Sequence, residues 1–174
     1  RDERLLRQEL LAQPQHLRTL FYLAQTLRDK GDPAAAIPVY QSRMAAGGWD
    51  EETWYCAYQI AVCHHRLGQS AEMAQACLSA YSLRPTRAEP LVLLAKALAQ
   101  QAQHDAAMLF LEQALNIEWP AKDQLFVEHQ AYGDAVREFI SISGFYSTQP
   151  HRQAKGQQLC EALALDADVE SGRR

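Results

Sequence analysis

The chain has 174 residues, 48% hydrophobic and 22% charged, a composition that supplies one continuous core and argues against disorder. Its 17 Lys and Arg against 21 Asp and Glu leave a net charge of −4 with both signs interspersed, so neither nucleic acid nor an anionic membrane surface is indicated as a partner. No apolar run approaches the ~20 residues that a bilayer span needs, so no membrane insertion is expected, and there is no basic-then-apolar leader.

The chain opens on Arg1-Asp2 without an initiator Met, which reads as a piece of something longer. Leu5, Leu6, Leu10 and Pro14 fit the second helix of a truncated repeat over residues 1–16, since Pro14 lies 34 residues before Gly48. Its first helix would lie before residue 1. Leu5, Leu6 and Leu10 would then lack their natural partner, and self-association through this helix is one reading of the segment.

From Leu17 onward the residues follow a ruler. Leu23-Ala24, Gly31, Ala36 and Tyr40 align with Ile60-Ala61, Gly68, Met73 and Cys77, and again with Leu94-Ala95, Ala102, Ala107 and Leu111. Measured from Leu17, Trp54 and Ala88, the sets are 37 and then 34 residues apart. A period near 34 with small residues, Gly and Pro at fixed slots marks a solenoid of helical hairpins. The units are 17–50, 51–87 and 88–120.

In the first unit a helix from Leu17 to about Lys30 presents Leu20, Leu23, Ala24 and Leu27 on one face. Gly31-Asp32-Pro33 ends it and starts its partner, which runs from Ala34 to Ala46 and turns Ala36, Ile37 and Tyr40 inward. Small residues at Ala24 and Ala36 let the two backbones approach while larger neighbours fill the flanks. The Gly47-Gly48-Trp49-Asp50 insertion explains the three extra residues before the second unit, with Asp50 expected as the helix N-cap and Glu51 and Glu52 in the first turn. That unit breaks at Leu67-Gly68-Gln69, and the third breaks more softly from Ala102 to Asp105.

After Ile117 the ruler slips. Pro120 ends the helix, and a long connection runs from Glu118 to Ala131. A divergent fourth unit occupies 121–165, with helices from about Tyr132 to Tyr146 and His151 to Leu165 and a small face at Ser141, Ser143 and Gly144. Residues 166–174 read as a polar tail.

These patterns resemble the tetratricopeptide repeat family along nearly the whole chain. The resemblance implies an all-α fold, a tetratricopeptide-type α-solenoid in which antiparallel helix pairs wind into a right-handed superhelix. Several strings outside the generic motif go further: Arg18-Thr19-Leu20-Phe21-Tyr22, Gly47-Gly48-Trp49-Asp50, Tyr58-Gln59-Ile60-Ala61, Arg84-Pro85-Thr86-Arg87 and Gln124-Leu125-Phe126-Val127-Glu128. Together they resemble the repeat segment that follows the catalytic domain of bacterial family-2 glycosyltransferases. That resemblance implies a catalytic domain upstream and gives this segment no activity of its own.

The chemistry-bearing residues form no convincing active site. Asp166-Ala167-Asp168 spells a metal–diphosphate string, yet it follows a helix with no strand to orient it, and a solvated end is the simpler account. Cys63-His64-His65 cannot converge on one ion, because neighbours on a helix point about 100° apart. Ser141 and Ser143 have no nearby His to act as base. No catalytic residue, metal or cofactor is therefore assigned. Cys56, Cys63, Cys77 and Cys160 have no framework spacing and are expected to be reduced and buried, consistent with a cytoplasmic protein.

In such arrays the first helix of each unit faces a concave groove. The residues expected to contact a partner there are Arg18, Phe21, Gln25, Tyr55, Tyr58, Gln59, Glu89 and Lys96, whose Tyr, Arg and Gln content suits binding hot spots. Packing or solvation is the bland alternative. The Lys and Asn clamp that relatives use on acidic chaperone tails is replaced by Phe21, Gln25, Gln59, Glu89 and Leu93, and Glu89 would repel a carboxylate. The expected function is a non-catalytic protein-interaction scaffold that receives a protein or peptide segment in its groove. The alternatives are an accessory segment that positions an acceptor for, or docks on, its own upstream catalytic domain, and a self-association module.

Overall fold

The corner at Gly31-Asp32-Pro33 shows how a hairpin is made. Gly31 adopts φ 87°, a left-handed geometry that suits a residue without Cβ. Asp32 accepts a hydrogen bond from the Ala35 amide at 3.0 Å, and Pro33 takes the first helical turn, where its missing N–H leaves no bond unmade. The computed structural model describes residues 2–171, with side chains described through Leu165. Among the described residues there is no strand.

The chain divides into two units. The first comprises Arg1–Arg84 with Lys122–Phe126 and holds α1 (Glu3–Ala12), α2 (Leu17–Asp29), α3 (Pro33–Ala45), α4 (Asp50–Arg66) and α5 (Ser70–Leu83). Each helix packs on the next in sequence. The small residues expected at close approaches, Ala24, Ala36 and Ala61, are fully enclosed. Leu20, Leu23, Leu27, Trp54 and Met73 complete the core around them, the large-and-small interlock that dense helix packing requires.

Two details of this unit differ from expectation. Helix α4 begins at Asp50 itself, with Trp49 in the cap position and no side-chain cap bond, so Asp50, Glu51 and Glu52 all lie in the first turn. Their carboxylates favour the positive end of the helix dipole without capping it. In α1, Leu6 is buried, Leu10 is half-buried, and Leu5 and Leu11 are exposed. Leu6 is packed within this unit, because α1 lies on α2.

The Gly47-Gly48 insertion is anchored by a buried cation that periodicity does not mark. Arg43 in α3 donates from Nε to Glu52 at 2.5 Å and from Nη1 to the Gly47 carbonyl at 2.5 Å. Gly48 adopts φ 96°, a backbone that disfavours any side chain, and a Cβ there would crowd Leu17 Cδ1 at 3.0 Å.

The second unit comprises Pro85–Ala121 with Val127–Arg174. It holds α6 (Glu89–Gln100), α7 (His104–Leu115), one 3-10 turn (His129–Ala131), α8 (Asp134–Phe145) and α9 (Pro150–Ser171). Helix α6 packs on α7, α7 on α8 and α8 on α9. The soft corner before α7 uses Ala102 at φ 59°, a left-handed alanine that costs about 1–2 kcal/mol. The small face of α8 is present at Ser143 and Gly144, which are buried, and its counterpart is Gly156. A Cβ on Gly144 would lie 2.8 Å from Gly156 Cα and 2.8 Å from the Arg152 carbonyl oxygen, so α8 and α9 touch backbone to backbone.

Helix α9 continues to Ser171, past Leu165, where the sequence pattern suggested a tail. The side chains of the Asp166-Ala167-Asp168 string lie outside the described residues. Of the cysteines, Cys56, Cys63 and Cys77 are buried but Cys160 is exposed, a correction to the expectation that all four pack inside. Cys160 lies on α9, where the solvent face of a single helix needs no apolar residue. Burial pushes the Cys56 and Cys77 thiols up to about 12.

Candidate binding surface

In the first unit, α2 and α4 carry a row of rings and polar groups. The Arg18 guanidinium sits 5.6 Å from the Tyr22 ring centre, and its Nη2 donates to the Tyr22 hydroxyl at 3.4 Å. Phe21 lies between Tyr22 at 6.0 Å and Tyr55 at 5.9 Å. Arg28 joins the two helices, donating from Nη1 to Gln59 Oε1 at 2.6 Å and to the Tyr55 hydroxyl at 3.2 Å. Burial opposes the charge on Arg28, but the Tyr40 and Tyr55 oxygens outweigh it and raise its basicity.

The expected contact residues divide between accessible and enclosed positions. Arg18 is exposed and Gln25 is half-buried, its Nε2 without a hydrogen-bond partner. Phe21, Tyr55, Tyr58 and Gln59 are buried. Tyr58 stacks on Trp54 at 5.7 Å, one turn away on the same helix, and belongs to the core. Along the edge of the row, Arg18 is exposed, while Tyr22 and Arg28 are half-buried.

At the start of α4, part of the chain's own long connection lies on this unit. The Gln124 and Leu125 amides both donate to Glu51 Oε2 at 2.9 Å. Arg84, which follows α5, grips Asp123 through both arms of its guanidinium, at 2.9 and 2.5 Å. The Phe126 ring lies 4.8 Å from Tyr55, adding a fourth ring to the row.

In the second unit Glu89 is not at a solvent-facing position. Its side chain and that of Arg87 are both 0% exposed and meet at 2.7 Å. Arg87 Nε reaches both carboxylate oxygens at 3.1 Å, Tyr132 donates to Oε2 at 2.8 Å, and the Glu128 amide donates to Oε1 at 3.2 Å. A carboxylate so enclosed is a packing element, which corrects its assignment as a groove contact. Lys96 is half-buried with Nζ 4.2 Å from the Phe139 ring centre. Burial lowers its pKa, with Glu128 opposing.

Similarity to known proteins agrees with this architecture. Residues 88–118 match the family model described as Tetratricopeptide repeat. A structure titled "Crystal structure of MamA" superposes with a TM-score of 0.73 at 16% identity, over 99% of this chain and 90% of that one. The fold is a tetratricopeptide-type α-solenoid. A second, "Crystal structure of MamA protein", has a TM-score of 0.66 at 19% identity over 93% of this chain and 82% of that one. A third, "MamA 41-end from Desulfovibrio magneticus RS-1", has a TM-score of 0.64 at 13% identity, over 98% and 84%. At these identities the likeness speaks to the fold alone. No curated protein matches the chain.

Sequence reasoning put Arg28 at a groove-facing slot without naming it a contact, and gave Glu51, Arg84 and Phe126 no binding role. One signal was present: a connection that breaks the repeat ruler yet carries Leu125, Phe126 and Val127 is too apolar for a loop that touches nothing.

Proposed function

We propose that this chain is a non-catalytic scaffold that binds a protein partner through the face formed by α2 and α4. One observation carries the reading. At the accessible edge of the buried Phe21–Tyr55 pair, the half-buried Tyr22 ring carries the exposed Arg18 guanidinium, with the half-buried Arg28 further along the same helix, so a ring and charged donors are presented on rigid helices. Such a surface loses little freedom on binding, and Tyr and Arg are over-represented where binding energy concentrates.

The test is selection of peptides from a random display library on the immobilised chain, followed by measurement on an Arg18→Glu/Tyr22→Ala variant. Both side chains lie at the accessible edge, so helical circular dichroism should be retained. Selected peptides are expected to bind the wild type and lose at least about tenfold on the variant, the effect of removing one hot-spot contact. Equal binding to both would discard this face.

A second reading rests on the strings around Gly47-Gly48-Trp49 and Gln124-Leu125-Phe126: an accessory segment of a bacterial family-2 glycosyltransferase that docks on its own catalytic domain. An α/β domain in the parent polypeptide, with an Asp-x-Asp at a strand end, would establish it. A parent lacking one would remove it.

A further inference from the structure

We propose that the corner formed by the start of α4 and the end of α5 is a pocket for a peptide bearing a carboxylate and, three residues later, an aromatic ring. Residues 123–126 of this chain occupy it in cis until such a partner displaces them. The inference rests on the scaffold reading above and names the chemistry of the partner.

Three groups of the pocket each read a different part of a peptide. Glu51 accepts two consecutive backbone amides, of Gln124 and Leu125, on one oxygen, a contact that any non-proline segment can make. Arg84 holds Asp123 with two parallel bonds, a fork that selects a carboxylate over a neutral side chain. Tyr55 meets Phe126 ring to ring at 4.8 Å, within the range of favourable aromatic pairs.

Part of the pocket is held by contacts outside its occupant. Tyr55 is fixed by Phe21 at 5.9 Å and by Arg28 at 3.2 Å. Glu51 Oε1 lies 3.9 Å from Arg84 Nη2, so the acceptor and the fork are already juxtaposed.

The occupant fits less well. Phe126 adopts φ 42°, a left-handed backbone for a bulky residue, and remains 53% exposed, although the Asp123 side chain is only 5% exposed. Tethering compensates for these defects, because a segment joined to its site acts at high effective concentration. A free segment with the same carboxylate and ring, able to relax its backbone, is the natural competitor.

The probe is a fluorescein-labelled peptide copying residues 121–128, followed by anisotropy on the full chain. Binding is expected to be at least about tenfold tighter to an Asp123→Ala/Phe126→Ala chain than to the wild type, as loss of an intramolecular competitor requires. Adding Arg84→Gln should abolish the gain, as should changing Asp to Asn and Phe to Ala in the peptide. Equal affinity for wild type and Asp123→Ala/Phe126→Ala, or binding that survives Arg84→Gln, overturns the proposal.

If the double variant does not fold, hydrogen exchange on the wild type decides the matter. Excess peptide should speed exchange at the Gln124 and Leu125 amides and leave the α4 amides unchanged; no change at those two amides overturns the idea. A wild-type dimer in sedimentation that dissociates on Asp123→Ala/Phe126→Ala would make a second copy the occupant, and would also overturn it. Library peptides that bind through Arg18 and Tyr22 while this probe fails leave the scaffold reading standing and remove only this inference.

Discussion

Glu89→Ala separates a buried structural carboxylate from a surface contact by magnitude. The substitution removes the acceptor of Arg87, of the Tyr132 hydroxyl and of the Glu128 amide together. Arg87 is left with its guanidinium fully enclosed, and breaking a buried pair in this way costs about 3–5 kcal/mol. Domains are stable by only about 5–15 kcal/mol, so the loss is a large share of the total. A solvent-facing glutamate in a groove would change stability by no more than about 0.5 kcal/mol. Urea unfolding followed by helical circular dichroism resolves the two, because at about 2 kcal/mol per molar the buried case moves the midpoint by roughly 2 M. An Arg87→Met/Glu89→Leu variant should recover part of the loss, since a packed apolar pair replaces a buried ionic one at little cost while the Tyr132 hydroxyl and Glu128 amide still lack their acceptor. A midpoint shift below about 0.5 M for Glu89→Ala, or a double variant as weak as the single one, would refute the argument.

Other outcomes are equally direct. Gly144→Ala should destabilise by about 1–3 kcal/mol in thermal melts, despite alanine's better helix propensity, because its Cβ meets backbone that cannot move aside. An unchanged or raised melting temperature would show that α8 and α9 are not in backbone contact. The cysteines predict alkaline weakening. With folded pKa values raised from 9.0 to about 12 at Cys56 and Cys77, their contribution is complete below pH 9 and is lost as pH rises toward 12. The slope is about 1.4 kcal/mol per pH unit for each thiol. Urea midpoints measured between pH 8.5 and 10.5 should therefore fall more steeply for the wild type than for Cys56→Ala/Cys77→Ala; parallel slopes would contradict the burial.

The amino-acid order by itself determined the hairpins. Gly31-Asp32-Pro33 dictates a stop and a start through local backbone chemistry, and the recurrence of Ala24, Ala61 and Ala95 needs only helical periodicity to place a small face. Such signals are local, so they survive without knowledge of distant contacts. Which side chains remain available to a partner was not local. Phe21, Tyr55 and Gln59 occupy expected groove slots, yet they are buried: Phe21 lies against Tyr55, Phe126 of the connection lies on Tyr55, and Arg28 bonds both Tyr55 and Gln59. Glu89 was expected to face solvent, and an arginine two residues earlier and a tyrosine 43 residues later take its carboxylate inside. The connection around Asp123 and Phe126 carries no repeat signature, and its placement on Glu51 and Arg84 joins residues 39 to 74 positions apart. Burial of a side chain is decided by what the rest of the chain brings against it, and periodicity contains no record of that.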